Sequence, residues 1–219
     1  MCIRDRVTTA VTIGTVVEWY DFFLYGTAAA LIFPKVFFPA GNPTVGALLS
    51  FATFATGFAA RPLGGLLFGH LGDRVGRRAV LVATLVMMGL ATACVGLLPG
   101  YAQIGVAAPV ALVVLRVVQG LGTGGEWGGA ALMTRENGSR RPGYLGAFLS
   151  SAVFVGLIIG SLAFTGLSRV LTDEQLMAWG WRIPFLASIV LVGIGLWIRR
   201  GLAETAEFRA VAEHGHRER

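Results

Sequence analysis

The sequence predicts an all-α membrane protein, a bundle of six transmembrane helices, and three observations carry that prediction. The 219 residues are 55% hydrophobic and only 14% charged, with a mean hydropathy of +0.70, too apolar for a soluble domain that must cover its core with polar surface. Six long apolar runs are separated by short turns. The basic residues gather in alternate turns.

A bilayer core about 30 Å thick is crossed by about 20 mostly apolar residues in a helix. The runs that qualify are residues 7–33, 45–68, 79–98, 104–133, 144–167 and 183–198, the last starting as early as Trp181. Turn residues stand where they stop: Pro34, Pro39 and Pro43, Pro99-Gly100, Asn137-Gly138 and Pro142-Gly143. Residues 1–6 read as a short basic tail, residues 7–198 as the bundle and residues 199–219 as a polar extension. The first run reads as an uncleaved first span rather than a secretory signal, because it is long enough to span, contains Glu18 and Asp21, and has no small-residue cleavage site behind it.

Orientation follows from the turns. Arg74, Arg77 and Arg78 lie between the second and third runs, Arg135, Arg140 and Arg141 between the fourth and fifth, and Arg199 and Arg200 after the sixth. The intervening turns hold only Lys35, then none, then Arg169 with Arg182. The excess of lysine and arginine on the cytoplasmic side of membrane proteins makes the first set cytoplasmic, together with both ends of the chain. Trp179 and Trp181 then fall at the outer interface, where aromatic anchors sit. Asn137-Gly138-Ser139 spells a glycosylation acceptor but reads as a cytoplasmic turn.

The net charge of +6 raises the question of nucleic acid. The arginines form short clusters, with no continuous basic face and no interleaved aromatic platform, so no nucleic-acid partner is expected. The lipid bilayer is the partner. Cys2 and Cys94 have neither metal-ligand spacing nor the setting of a disulfide. No metal or organic cofactor is expected. No nucleophile, base and orienting group converge, and His70 stands alone in a turn, so the chain does not read as an enzyme.

Ionisable groups inside a span cost about 2.5–3.5 kcal/mol each at the centre on translocon scales, and normally face a bundle interior or a wet path. Glu18 and Asp21 lie near the middle of the first run, three residues apart and on one helical face. Two carboxylates this close in a low dielectric cannot easily both ionise, so one of them binds protons reversibly. The alternative is that they form fixed pairs with basic residues of neighbouring helices. The fourth run carries Arg116, Gln119 and Glu126 as one polar stripe that would line a cavity. Arg116 either holds a substrate carboxylate or pairs with Glu18, Asp21 or Glu126. Glu126, nearer the cytoplasmic end, serves equally well as partner to a turn arginine, and Arg61 reads as a side chain snorkelling along the second run. Trp19, Tyr20, Phe22, Phe23 and Tyr25 surround the carboxylates, mostly as packing, with one or two, Tyr20 among them, facing a ligand.

Gly120-Leu121-Gly122-Thr123-Gly124-Gly125 has the spelling of a dinucleotide-binding loop, but it interrupts an apolar helix and lacks the strand before it that such a loop requires. Read as helix, Gly120, Gly124 and Gly128 form a smooth face for close helix contact, as do Gly156 and Gly160 in the fifth run. If the six helices divide as three plus three, the first and fourth correspond, and these two carry the buried charges.

The segment Gly69-His70-Leu71-Gly72-Asp73-Arg74-Val75-Gly76-Arg77-Arg78 closely resembles the signature loop of the major facilitator superfamily. The run from Arg116 through Gln119-Gly120 to Gly125-Glu126-Trp127-Gly128-Gly129 resembles that superfamily's second motif, whose arginine is associated with proton coupling. Taken with Glu18-Trp19-Tyr20-Asp21-Phe22, Arg61-Pro62-Leu63-Gly64-Gly65 and Gly180-Trp181-Arg182-Ile183-Pro184-Phe185, the chain is similar to the metabolite:proton symporter family, which includes carriers of shikimate, proline and betaine, oxoglutarate and citrate. The resemblance implies the N-terminal half of a twelve-helix major facilitator fold in a bacterial inner membrane, a monomer when complete. Gly69, Gly72, Asp73, Arg74, Gly76, Arg77 and Arg78 would form a gating loop whose partners lie in a missing C-terminal half. Residues 204–219 would begin the central cytoplasmic linker, and the chain would be truncated. The fifth run, Gly156-Leu157-Ile158-Ile159-Gly160, lacks the glycine-proline pair of drug antiporters. The resulting expectation is alternating-access symport of a small organic acid or zwitterion, with a proton rather than a cofactor as coupling species and sodium left open. An uncoupled facilitator, or a non-transporting half-unit if the chain is complete, are the alternatives.

Overall fold

The computed structural model describes residues 3–39, 41–136 and 142–199, with side chains described over 12–39, 41–76, 78–126 and 150–197. Two helices set up the charged face and its neighbour. α1 spans Ile3–Leu31 and is followed by a single turn, α2, Phe33–Val36. α3 spans Pro43–Val75, opened by Asn42, whose side chain accepts from the Thr44 N–H at 2.9 Å, with Pro43 in the first turn. α4 is Arg77–Leu97, α5 the turn Tyr101–Ile104, α6 Ala107–Glu136 and α7 Pro142–Val170. A capping box on Thr172 and Gln175 opens α8, Asp173–Gln175, which runs through a π-helical segment, Leu176–Gly180, into α9, Arg182–Arg199.

The helices overrun the apolar runs that announce them. α1 is already helical at Ile3, inside the segment expected as a tail. α3 continues past Phe68 to Val75, so Gly69 to Val75 are helix and not loop. Nothing in that stretch breaks a helix. The break comes at Gly76, with φ 104°, a conformation open to glycine and strained for other residues. The fourth span starts later than expected because Gly105, at φ 59°, separates Tyr101–Ile104 from α6. α3, α4, α6 and α7 each contain a stretch long and apolar enough to cross a bilayer, and Asp173–Gly180 with Arg182–Trp197, bent by 48°, qualifies as a broken span. α1 has the length, 29 residues, but Glu18 and Asp21 dilute its apolar character.

Two tight seams organise the bundle. Along α3 and α6, a Cβ on Gly64 would run into the Leu121 backbone, one on Gly120 into the Gly57 carbonyl, and one on Gly124 into the Arg61 carbonyl. Along α1 and α7, Gly156 and Gly160 admit the α1 backbone around Trp19, Tyr20 and Leu24. These are the smooth faces the glycine spacing predicts; the side-chain surroundings of Gly128 lie outside the described residues. α4 packs on α6 and α9, and α9 also on α1. This set of pairings maps onto itself when α1, α3 and α4 are exchanged for α6, α7 and α9. Hydroxyls tie helices together where hydrocarbon offers no competing partner: Ser50 Oγ donates to the Ala29 carbonyl at 2.8 Å, and the Tyr25 and Thr53 hydroxyls meet at 2.7 Å.

An aromatic cluster of Phe33, Phe37, Trp181 and Phe185 fills the bundle where α2 meets α9, with ring centroids about 6 Å apart. Trp181 is therefore a core residue, 1% exposed, and not the interfacial anchor its position suggested. The rings of α2 turn back over the start of α9 and cover it. Trp179, by contrast, is 48% exposed. Arg182 reaches the carbonyl of Leu98 at 3.2 Å, closing the C-terminal end of α4 with a cation.

Candidate functional site

Four helices meet around a charged cavity. α1 supplies Glu18, Asp21 and Phe22; α3 supplies Gly57, Phe58 and Arg61; α4 supplies Met88; and α6 supplies Arg116, Gln119, Gly120 and Thr123. The cavity between them has a volume of about 20 Å³, room for about one water molecule. Glu18, Asp21, Arg116, Gln119 and Thr123 are all buried within their helix contacts, which is how a bundle shelters charge from lipid.

The two carboxylates have different partners. Glu18 faces Arg61 of α3, with Oε1 3.6 Å from the guanidinium. Arg61 in turn lies over the Phe58 ring at 4.5 Å and the Phe22 ring at 6.0 Å. Asp21, one turn further along, accepts from the Thr92 hydroxyl at 2.6 Å through Oδ2. Its Oδ1 is buried without a hydrogen-bond partner among the described residues.

Arg116 forms none of the ion pairs considered for it. Its guanidinium stacks on Tyr25 at 4.1 Å and Phe54 at 4.8 Å, and Nη1 donates to Gln119 Oε1 at 3.0 Å. Among the described residues it makes no salt bridge, and its Nε has no hydrogen-bond partner. Aromatic faces supply part of the missing counter-charge, about 2 kcal/mol for a desolvated contact. Gly57 makes the geometry possible: a Cβ there would lie 2.9 Å from Arg116 Nε. The Gln119 amide then donates to Thr92 Oγ1 at 2.6 Å. A continuous hydrogen-bonded chain therefore runs from Arg116 through Gln119 and Thr92 to Asp21.

The remaining expected residues are placed differently. Glu126 continues the α6 stripe and is buried, but it does not line the cavity. Tyr20 is turned away from it, donating to the Pro184 carbonyl at 2.6 Å in the packing of α1 on α9. Gly69, Gly72, Asp73 and Arg74 form the last turns of α3, where Asp73 and Arg74 are exposed and Gly72 packs near Val80. His70 is exposed on the same helical end. Arg78 is half-buried in the first turn of α4, and the side chains of Arg77, Trp127 and Arg135 lie outside the described residues, as do Asn137, Gly138, Ser139, Arg140, Arg141, Arg200 and residues 204–219. Arg61 and Thr92 are the residues the sequence undervalued. The signal for Thr92 is the recurrence of Thr84, Met88 and Thr92 every four residues, a more polar stripe within an apolar run.

A charged cavity buried among long apolar helices is the mark of a polytopic membrane carrier. The sequence pattern described as "Sugar (and other) transporter" matches residues 7–218, and the chain belongs to that family of the major facilitator superfamily, a family of transporters and not of enzymes. It is 52% identical over 211 residues to the inner membrane metabolite transport protein YhjE of Escherichia coli strain K12, covering 96% of this chain and 48% of that protein. It is 55% identical over 199 residues to the shikimate transporter of the same organism, covering 89% and 45%. The proline/betaine transporter of Salmonella typhimurium strain LT2 is 40% identical over 205 residues, covering 93% and 41%. The chain thus spans about half the length of the curated relatives it matches. In fold it is similar to a crystal structure of a D-xylose-proton symporter, with a TM-score of 0.80 at 19% identity over 98% of this chain and 53% of that one. The inward-open xylose transporter XylE of E. coli gives 0.75 at 19% identity, over 92% and 48%.

Proposed function

We propose that the chain is the first half of a proton-coupled symporter that carries a small organic acid or zwitterionic metabolite across a bacterial inner membrane by alternating access, with both ends of this half in the cytoplasm. The observation that carries the reading is Asp21: a buried carboxylate beside a cavity, joined by hydrogen bonds to a guanidinium that has no ionic partner among the described residues. Such a site can take up one proton and one anion together. Asp21 is the proton site, because Glu18 already faces Arg61. Arg116 receives the substrate carboxylate. The names of the shikimate and proline/betaine transporters support a carboxylate-bearing substrate, and the D-xylose-proton symporter's title supports coupling to protons within this fold.

The self-mapping helix pairings support a three-plus-three inverted repeat with the site at its interface. Asp73 and Arg74, exposed at the end of α3, are available to a second six-helix half as gating contacts. In vesicles holding a transporter with this chain as its first half, Asp21→Asn abolishes uphill uptake driven by an imposed pH gradient. Gradient-driven accumulation at the unsubstituted level would remove Asp21 from the mechanism. Uptake indifferent to the gradient in the unsubstituted protein would favour an uncoupled facilitator.

A further inference from the structure

Three polar groups converge on the oxygen of Thr92, which is 1% exposed. Gln119 Nε2 lies at 2.6 Å, Asp21 Oδ2 at 2.6 Å and the Met88 carbonyl oxygen at 3.0 Å. The amide of Gln119 is oriented by Arg116, a donor only, so Nε2 must donate toward Thr92. A hydroxyl has one proton to give and two lone pairs to receive. With Asp21 ionised, both remaining partners are acceptors and compete for that one proton. The carboxylate wins, because a charge-assisted bond is roughly twice as strong as a neutral one. The bonds then run one way, Arg116 to Gln119 to Thr92 to Asp21, each polarising the next.

With Asp21 protonated the requirement reverses. A proton on Oδ1 would be a buried donor without an acceptor among the described residues, whereas a proton on Oδ2 meets the second lone pair of Thr92. The Thr92 proton turns to the Met88 carbonyl, the back-bond open to a helical threonine. No heavy atom needs to move. In this state Gln119 and Asp21 both donate to one oxygen and weaken each other. We propose that Thr92 is a positioning residue that transmits the proton state of Asp21 to Gln119 and so to the hold on Arg116. The inference rests on the reading of Asp21 as the proton site.

Other charges facing Asp21 are Glu18 on α1, Arg61 on α3 and Arg116 and Glu126 on α6. The remaining charged residues of α3, and those of α4, α7 and α9, stand at helix ends: His70, Asp73 and Arg74, Arg77 and Arg78, Arg169, and Arg182 and Arg199.

Infrared pH titration of the purified protein in lipid vesicles tests the relay, with the Asp21 carboxyl band identified as the one lost in Asp21→Asn. Thr92→Val keeps the shape and removes the hydroxyl. It is expected to move the band to higher frequency and to tighten proton binding by roughly threefold to tenfold, since the bond lost from the ionised form is the stronger of the two. Thr92→Ser restores both. Gln119→Leu, two bonds from the carboxylate, shifts proton affinity in the same direction by a smaller factor, and it carries the test if Thr92→Val does not fold. A band and affinity unmoved by these variants overturn the relay while leaving Asp21 as proton site. No Asp21-dependent band in the unsubstituted protein contradicts the proton-site reading and the relay with it.

Discussion

At the scale of residues, the site separates two carboxylates by the company they keep. Glu18 is neutralised across a helix contact by Arg61, while Asp21 is held by a hydroxyl and, among the described residues, has one oxygen without a hydrogen-bond partner. Arg61→Ala is expected to lower stability by about 2 kcal/mol, less than the 3–5 kcal/mol of a fully buried pair because Arg61 is 25% exposed. Adding Glu18→Gln to that variant recovers part of the loss, as a double-substitution cycle followed by thermal unfolding will show; a double variant no better than Arg61→Ala would mean the pair is not what holds Glu18. Glu18, Asp21, Arg116 and Gln119 were readable in the sequence because a charge or amide within an apolar run has few physical meanings. Thr92 was not, since a threonine in a span is unremarkable until its partners are known. Those partners are 71 and 27 residues away along the chain.

At the scale of elements, spacing gave the seams and missed the ends. Glycines four residues apart on α6 imply close approach, and α3 does approach there. Gly64→Val is expected to force α3 from α6 and cost about 1–3 kcal/mol, read as a lower unfolding temperature in detergent. Gly166→Ala, where a Cβ meets nothing within 4 Å, leaves that temperature unchanged or slightly raised. Equal losses in both variants would contradict a specific seam. Helix ends were hidden because hydropathy marks the lipid-facing stretch, whereas a helix stops only where its backbone is interrupted, as at Gly76 and Gly105. Trp181 was misplaced for a related reason. Interfacial rings are recognised by position along a span, but α2 folds back over that position and buries it.

For the whole molecule, the six-helix architecture and the carrier family follow from charge patterning and from the match over residues 7–218. The central claim is that Asp21, Arg116 and Gln119 border water within the depth of the bilayer. Cysteine accessibility measures this directly. In a background with Cys2 and Cys94 replaced by serine, single cysteines at Phe22, Phe58, Gln119 and Thr123 are expected to react with a water-soluble thiol reagent. Fluorophores attached there are quenched by probes at the bilayer midplane. Cysteines at Ile158 and Leu162, exposed on α7 and away from the cavity lining, resist the same reagent. Cavity positions that stay unreactive, or that report a depth outside the hydrocarbon, would contradict the account.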